Sequence, residues 1–433
     1  MIRLRDYQVR AVDAADLAFL GGARSVLVVA PTGAGKGTIA AWRLQAEVAR
    51  GGRCVFLVHR EEIVSDVASR LLAAGCSDVA TRSGGRLVGA PDARVQVCSV
   101  QTLTARPDAR PPATLLVTDE AHHAVAATYR ALYAAYPGVP HLGLTATPER
   151  SDRTALGDVY DELVTVASVR ELTEAGWLVP CDVIAPAKAA QALACSPAEA
   201  LARYAPKGRA LVFCGTKDEA RELAAQHGGA CVIGETRDRG DVLRAFRRGE
   251  IPFLSTVQVL TEGVDVPEAE VVILARGCSS VGMFLQITGR VLRPAPGKAR
   301  ALLVDLRGAV HAHGMPDDDR AFSLTGRAIS GKAKGEPIRQ CASCGRVAKT
   351  WLGACPRCGS APPPMPAQRV KAAALAKVTS TASEGERRAY FDALCAQARR
   401  SGYRPGWVGI RFKGRFGHWP KWPVSKAAEG ARA

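Results

Sequence analysis

Over residues 1–310 the chain alternates between two textures. Short apolar, β-branched runs are separated by longer stretches in which apolar positions return every three or four residues. The first is the texture of strands buried on both faces, the second that of amphipathic helices. Strands are predicted over Ser25–Ala30, Cys54–His59, Val95–Ser99, Leu115–Asp119 and Leu142–Thr145, with helices over Tyr7–Leu20, Lys36–Arg50 and Glu61–Ala74. A second series starts near Cys181. Its strands are Ala210–Cys214, Ala230–Ile233, Phe253–Thr256, Val271–Leu274 and Ala301–Asp305, and a helix covers Lys217–His227. Such alternation builds parallel sheets covered on both faces, with the ligand crevice at the strands' C-terminal ends. The expected fold is α/β, with one lobe over 1–165 and another over 166–310. Residues 311–336 are polar and Gly-rich, include Asp317-Asp318-Asp319, and read as a linker. A Cys-rich module follows at 337–361, a Pro/Ala-rich spacer at 362–382 and a small basic, aromatic unit at 383–433.

Charge changes the picture of the tail. The net charge is +17, yet residues 1–325 carry 37 Lys+Arg against 36 Asp+Glu, whereas 326–433 carry 21 against 5. A basic block of that kind points to a polyanionic partner, nucleic acid first, against the plainer reading of a solubilising tail. No run of 18 apolar residues occurs, and the N-terminus lacks the apolar core of a secretory signal, so no membrane partner and a cytoplasmic location are expected. Four of the thirteen cysteines form two CxxC pairs and nine are scattered, a pattern that fits a reducing compartment and one metal site.

Two motifs carry the chemistry. Ala30-Pro31-Thr32-Gly33-Ala34-Gly35-Lys36 lies between an apolar strand and a helix, the context of a phosphate-binding loop. There backbone N–H groups of Thr32, Gly33, Ala34 and Gly35 close on phosphates, and Lys36 reaches the terminal ones. About 80 residues on, Leu115-Leu116-Val117-Thr118 runs into Asp119-Glu120-Ala121-His122. Asp119 suits Mg²⁺, held through its water shell, and Glu120 suits polarising the attacking water.

Asp119-Glu120-Ala121-His122 resembles the DEAH box of superfamily 2 helicases, and further motifs stand in family order. Leu4-Arg5-Asp6-Tyr7-Gln8 resembles the adenine-reading element, which implies Gln8 on the adenine edge and Arg5 on its ring. His59-Arg60-Glu61-Glu62 resembles motif Ia, and Thr145-Ala146-Thr147 resembles motif III. Thr261 to Pro267 resembles motif V, with Gly263 in the loop and Asp265 near the ribose. Gln286 to Arg293 resembles motif VI. The resemblance covers residues 4–293 and implies two tandem RecA-like lobes that share one ATP site. It makes Lys36, Asp119, Glu120, His122, Gln286, Arg290 and Arg293 the catalytic set. Arg293 acts as the arginine finger with Arg290 as companion, both sitting on one helical face. From family position it also places strand contacts at Arg60, at Thr102 beside Gln101, and at Thr256. With the Cys-rich module, the nearest subfamily is the RadD-like (YejH-like) DNA-repair helicases, alongside phage-encoded relatives.

One residue departs from the pattern. Where the family has Thr or Ser after the lysine, Gly37 stands here, and Thr38 follows about 100° further round a helix. Either water fills that position on Mg²⁺ or turnover is weakened. Beyond the lobes, Cys341, Cys344, Cys355 and Cys358 match a closed tetrahedral Zn²⁺ site, structural in kind, with a nucleic-acid contact left open. In the tail, Arg404, Trp407, Arg411, Lys413 and Arg415 interleave charge with aromatics. They suit phosphates and stacked bases, although Trp407, Phe412, Phe416 and Trp419 equally suit a small core. An acidic-tailed protein such as a single-strand-binding protein is a further candidate partner. The expected function is an ATP-dependent helicase or translocase, on DNA rather than RNA. The alternatives are an ATP-binding clamp or recruitment protein and the motor subunit of a restriction or repair complex.

Overall fold

The computed structural model describes residues 2–148, 154–190, 192–206, 209–261, 266–325, 339–341, 343–348, 354–361, 384–401, 405–416 and 420–422. The apolar runs of the first series become β1 (Ser25–Val29), β2 (Cys54–Val58), β3 (Val79–Ser83), β4 (Arg86–Val88), β5 (Val95–Ser99), β6 (Leu115–Asp119), β7 (His141–Thr145) and β8 (Glu162–Thr165). They form one sheet in the order β4-β3-β5-β2-β6-β7-β1-β8, parallel throughout except for the β3–β4 hairpin. Every residue of β1, β2, β5 and β7 is buried, as a sheet covered on both faces demands. Parallel pairing gathers the C-terminal ends of β1, β6 and β7 on one edge. The phosphate loop, the Asp119-Glu120 pair and Thr145 therefore share that edge.

The second sheet comprises β9 (Cys181–Ile184), β10 (Ala210–Phe213), β11 (Ala230–Cys231), β12 (Phe253–Thr256), β13 (Val271–Leu274), β14 (Ala301–Asp305), β15 (Arg339–Gln340) and β16 (Arg346–Ala348), ordered β11-β12-β10-β13-β14-β9-β16-β15. Its first six strands are parallel. The last two enter antiparallel, Arg346 opposite Ile184 and Val347 opposite Val183. The Cys-rich module thus extends the second lobe's sheet. Gln340 donates to the Ala185 carbonyl at 2.6 Å, and Arg346 reaches Asp182 at 3.1 Å.

Two expectations are corrected. The stretch expected as a linker is packed over its described residues 311–325: Phe322 and Leu324 lie against the first lobe's second core, and the Gly157 amide donates to Leu324 O at 2.9 Å. Its polarity hid two apolar anchors. The expected helix through Arg290 and Arg293 stops at Gly289. Pro294 disfavours helical backbone at Arg293, so the two arginines leave a turn rather than one helical face.

The C-terminal unit is a helical hairpin, Glu384–Ser401 and Pro405–Phe416. Its core is Phe391, Leu394, Cys395, Ala398, Val408 and Phe412, with Tyr390, Trp407 and Trp422 packed around it.

Candidate functional site

The site begins at the end of β1. Ala30 N donates to Thr145 O at 2.9 Å, and the chain then turns through Pro31–Gly35 into the helix Lys36–Ala49. Gly33 (φ +92°) and Gly35 (φ +81°) occupy backbone space that side-chain residues rarely enter. Gly35 is also held from outside. Gln8 Nε2 and Tyr7 Oη both donate to Ala34 O, at 3.0 and 3.1 Å, and a Cβ on Gly35 would collide with the Gln8 amide. Gln8 Oε1 accepts from Arg5 N at 3.0 Å. The residue expected on the adenine edge therefore latches the phosphate loop to the N-terminal helix. Arg5 lies with its guanidinium 3.9 Å over the ring of Trp177, at one wall of a cleft of about 490 Å³. Sequence reasoning missed Trp177; a lone Trp after Gly176 between two lobes was its only signal.

Lys36 folds back so that Nζ donates to Ala30 O at 3.3 Å. Burial pushes its pKa down, the carboxylates of Glu120 and Asp119 push it up, and Arg293 and Arg290 push it down again. Asp119 is pushed up to about 6, first by burial and then by the neighbouring Glu120, with Lys36 opposing. Two close carboxylates in a dry pocket favour a divalent cation. The donor set thus fits Mg²⁺, with Asp119 and Glu120 as the anionic side. Glu120 has φ +47°, a left-handed position that costs a non-glycine residue about 1–2 kcal/mol and turns its carboxylate out of the strand line. His122 Nδ1 stands 3.4 Å from Glu120 Oε2 and 3.1 Å from Thr145 Oγ1. The Thr145 hydroxyl already donates to Thr147 O at 2.9 Å, so Nδ1 of His122 must carry the proton.

The second lobe closes this pocket. A Cβ on Gly289 would lie 2.5 Å from Thr32 Cβ, so the end of the helix Val281–Gly289 rests directly on the phosphate loop. A Cβ on Gly33 would lie 3.1 Å from Arg293 Cγ and 3.8 Å from its Nε. Gln286 and Arg290 are buried beside them. Thr38 is half-buried, its Oγ1 3.4 Å from where a Gly35 Cβ would stand, and Gly37 faces open space. Gly263 and Asp265 lie outside the described residues. Lys298 fixes the segment that follows them, donating to Pro267 O at 2.9 Å and to Ala269 O. Burial pushes Lys298 down to about 8, against the pull of Glu270.

The expected strand contacts separate into exposed and buried ones. Arg60 and Gln101 are exposed. Thr102 is buried, donating to Glu61 Oε1 at 2.9 Å and accepting from Gly84 N at 3.0 Å, so its hydroxyl braces the loops. Thr256 is fully buried at the end of β12. In the tail, Arg411 and Lys413 are exposed, whereas Phe412 is buried and Trp407 half-buried beneath the Arg411 guanidinium, 5.6 Å from its ring. Packing claims Phe412, while Trp407 keeps part of its ring exposed. Arg404 and the Arg415 side chain lie outside the described set.

The candidate metal centre is built from a repeated turn. Each Cys-x2-Cys-Gly places its glycine at positive φ (Gly345 +73°, Gly359 +71°), and each glycine amide donates to the first cysteine's carbonyl, at 2.9 and 2.8 Å. Sγ of Cys341 and Cys358 are 3.7 Å apart, those of Cys344 and Cys355 3.8 Å, and all four lie within 4.8 Å of one another. Tetrahedral Zn–S bonds of about 2.3 Å require S···S separations of about 3.8 Å, so the set fits Zn²⁺.

Known proteins share both lobes. Residues 1–150 match the family profile described as Type III restriction enzyme, res subunit, and residues 195–295 match the helicase conserved C-terminal domain. A 51.5 kDa protein of a Lactococcus phage is 25% identical over 370 residues, 77% of each chain. The DNA 3'-5' helicase XPB of Mycobacterium tuberculosis is 28% identical over 334 residues, 67% of this chain and 58% of that protein. The chain therefore spans little more than half of that cellular relative. Among solved structures, a fragment assigned to the HsdR subunit of a type I restriction enzyme from Vibrio vulnificus shares the fold. Its TM-score is 0.57 at 22% identity, over 76% of this chain and 71% of that one. Among the described residues no helix is long and apolar enough to cross a membrane.

Proposed function

Given that this chain belongs to superfamily 2 of the helicases and translocases, we propose that it hydrolyses ATP with Mg²⁺ and uses the cycle to move along nucleic acid, DNA by preference. The observation that carries this reading is the packing of Arg293 and Gly289, from the second lobe, onto Thr32 and Gly33 of the phosphate loop. In this reading the triphosphate lies between the lobes. Lys36 and the loop amides hold the phosphates, Glu120 orients the water, and His122 steadies Glu120. Arg293 neutralises charge that develops on the γ-phosphoryl group, with Arg290 and Gln286 beside it. Bound Mg²⁺ supplies charge neutralisation at the phosphates, and Asp119 is its anchor. Since Arg293 reaches the site only when the lobes meet, nucleotide binding favours closure and hydrolysis relaxes it. Exposed groups such as Arg60 and Gln101 then shift against the second lobe.

Zinc at Cys341, Cys344, Cys355 and Cys358 is part of the proposal, as a fold support. So is the division into lobes at 1–165 and 166–310, a four-cysteine zinc ribbon at 337–361 and a basic unit at 383–433. We place the protein in the cytoplasm, where its thirteen cysteines stay reduced. A single-strand-binding protein remains the protein partner its basic tail suits best. Steady-state ATPase rates with and without single- and double-stranded DNA test the central reading. Nucleic acid should raise turnover, and Glu120→Gln should keep ATP binding while turnover falls by at least about 100-fold. A rate indifferent to nucleic acid would leave only an ATP-binding clamp. A second reading, the motor of a restriction complex, is favoured by the family profile over residues 1–150 and the HsdR-like fold. It requires a nuclease on a partner chain, and it predicts DNA-stimulated ATPase without strand separation.

A further inference from the structure

Four aromatic rings run from the carboxylate pair to the loop that carries Arg60. His122 stands 3.4 Å from Glu120, its ring centroid is 4.1 Å from that of His123, and His123 stacks on His59 at 4.2 Å with an interplanar angle of 15°. Tyr129 Oη lies 3.3 Å from His59 Nδ1 and closes the far end. His59 is the residue before Arg60, and its carbonyl accepts from Gln101 Nε2. One row of touching rings, tilted by 40° at the His122–His123 step and stacked from His123 to His59, therefore reaches from the water-orienting carboxylate to the residue that joins both exposed polar loops. Nothing in the nucleotide chemistry needs His123, and nothing in backbone gripping needs a ring there.

We propose that His123 is a positioning residue that couples the nucleotide site to the Arg60 loop, transmitting displacement of His122 through the His59 ring. The proposal rests on the reading above. Rings in direct contact cannot interpenetrate, so when His122 follows Glu120 on nucleotide binding, His123 and the His59 loop have to give way with it.

The measurement is the affinity of labelled single-stranded DNA with and without ADP–beryllium fluoride, and of the nucleotide with and without DNA. The two ratios must agree by linkage, and such couplings commonly lie between about 5- and 150-fold. His123→Ala should bring the ratio close to one, while ATP turnover in the absence of DNA stays within about twofold of wild type. His123→Phe, which keeps a flat ring, should restore most of the ratio. His59→Ala should also lower it, and the double variant should be no worse than either single one. An unchanged ratio in His123→Ala overturns the proposal. So does a Phe variant as defective as Ala, a parallel collapse of basal turnover, or additive losses in the double variant. If wild type hydrolyses ATP but shows a ratio of one, the motor reading itself fails, and that result is visible before any variant is made.

Discussion

At the residue scale, position 37 is the point at which this site differs from its family. A Cβ there would meet nothing within 4 Å, and the helix has ordinary backbone, so Gly37→Thr should fold without strain. The added hydroxyl should lower the Mg²⁺ concentration for half-maximal ATPase by about fivefold, the effect of one contact worth about 1 kcal/mol. A Mg²⁺ titration of both proteins decides it, and identical curves mean that water already fills the place. A second residue makes a pH prediction. His141, the first residue of β7, is buried beside β6, its Nε2 2.9 Å from Thr118 Oγ1, and burial pushes it from 6.5 down to about 3. Folded, the ring stays neutral; unfolded, it takes a proton below pH 6.5. Its contribution to stability is therefore whole above pH 6.5 and is lost as pH falls toward 3, by up to about 1.4 kcal/mol per pH unit. His141→Gln should flatten the pH dependence of urea unfolding between pH 7 and 5 by about one proton. Equal slopes would show that the ring is not neutral in the fold.

At the element scale, the pair of cysteine turns lies at the margin of the second sheet. Without β16, β9 becomes an edge strand: it keeps β14 on one side, and its backbone groups on the other side lose their partners. The same change frees Asp182 from Arg346, leaving it with Arg300 at 2.8 Å. Chelation should therefore release about one Zn²⁺ per chain and lower the melting temperature by several degrees, given about 2–4 °C per kcal/mol for units of 150–250 residues. Hydrogen exchange should rise first along Cys181–Ile184. Protein that contains no zinc, or exchange in β9 that chelation leaves unchanged, would remove the structural role. Spacing announced the four cysteines as a metal set. That they extend a sheet rather than stand apart was not legible, because two-residue and three-residue strands have no periodicity to read.

At the scale of the whole molecule, charge and chemistry are divided between two units. Residues 383–433 hold eleven Lys+Arg against four Asp+Glu, and their removal should weaken nucleic-acid binding and flatten its salt dependence. Every phosphate that the protein no longer neutralises lowers the slope by about 0.7 for single strands and 0.9 for duplex. Affinity and slope equal to full length would assign the hairpin to a protein partner or to fold support. The central strands of both sheets, the phosphate loop, the carboxylate pair and the paired cysteines were legible along the chain, because each depends on local spacing: a strand, a turn and a helix in succession, or two cysteines in one turn. Four things were decided only in three dimensions. Arg293 meets Gly33 across 260 positions, Trp177 covers Arg5, Thr102 and Thr256 turn inward, and Phe322 and Leu324 return to the first lobe. Each depends on which surfaces meet when two sheets close on one another, and contacts so distant along the chain leave no period in the sequence.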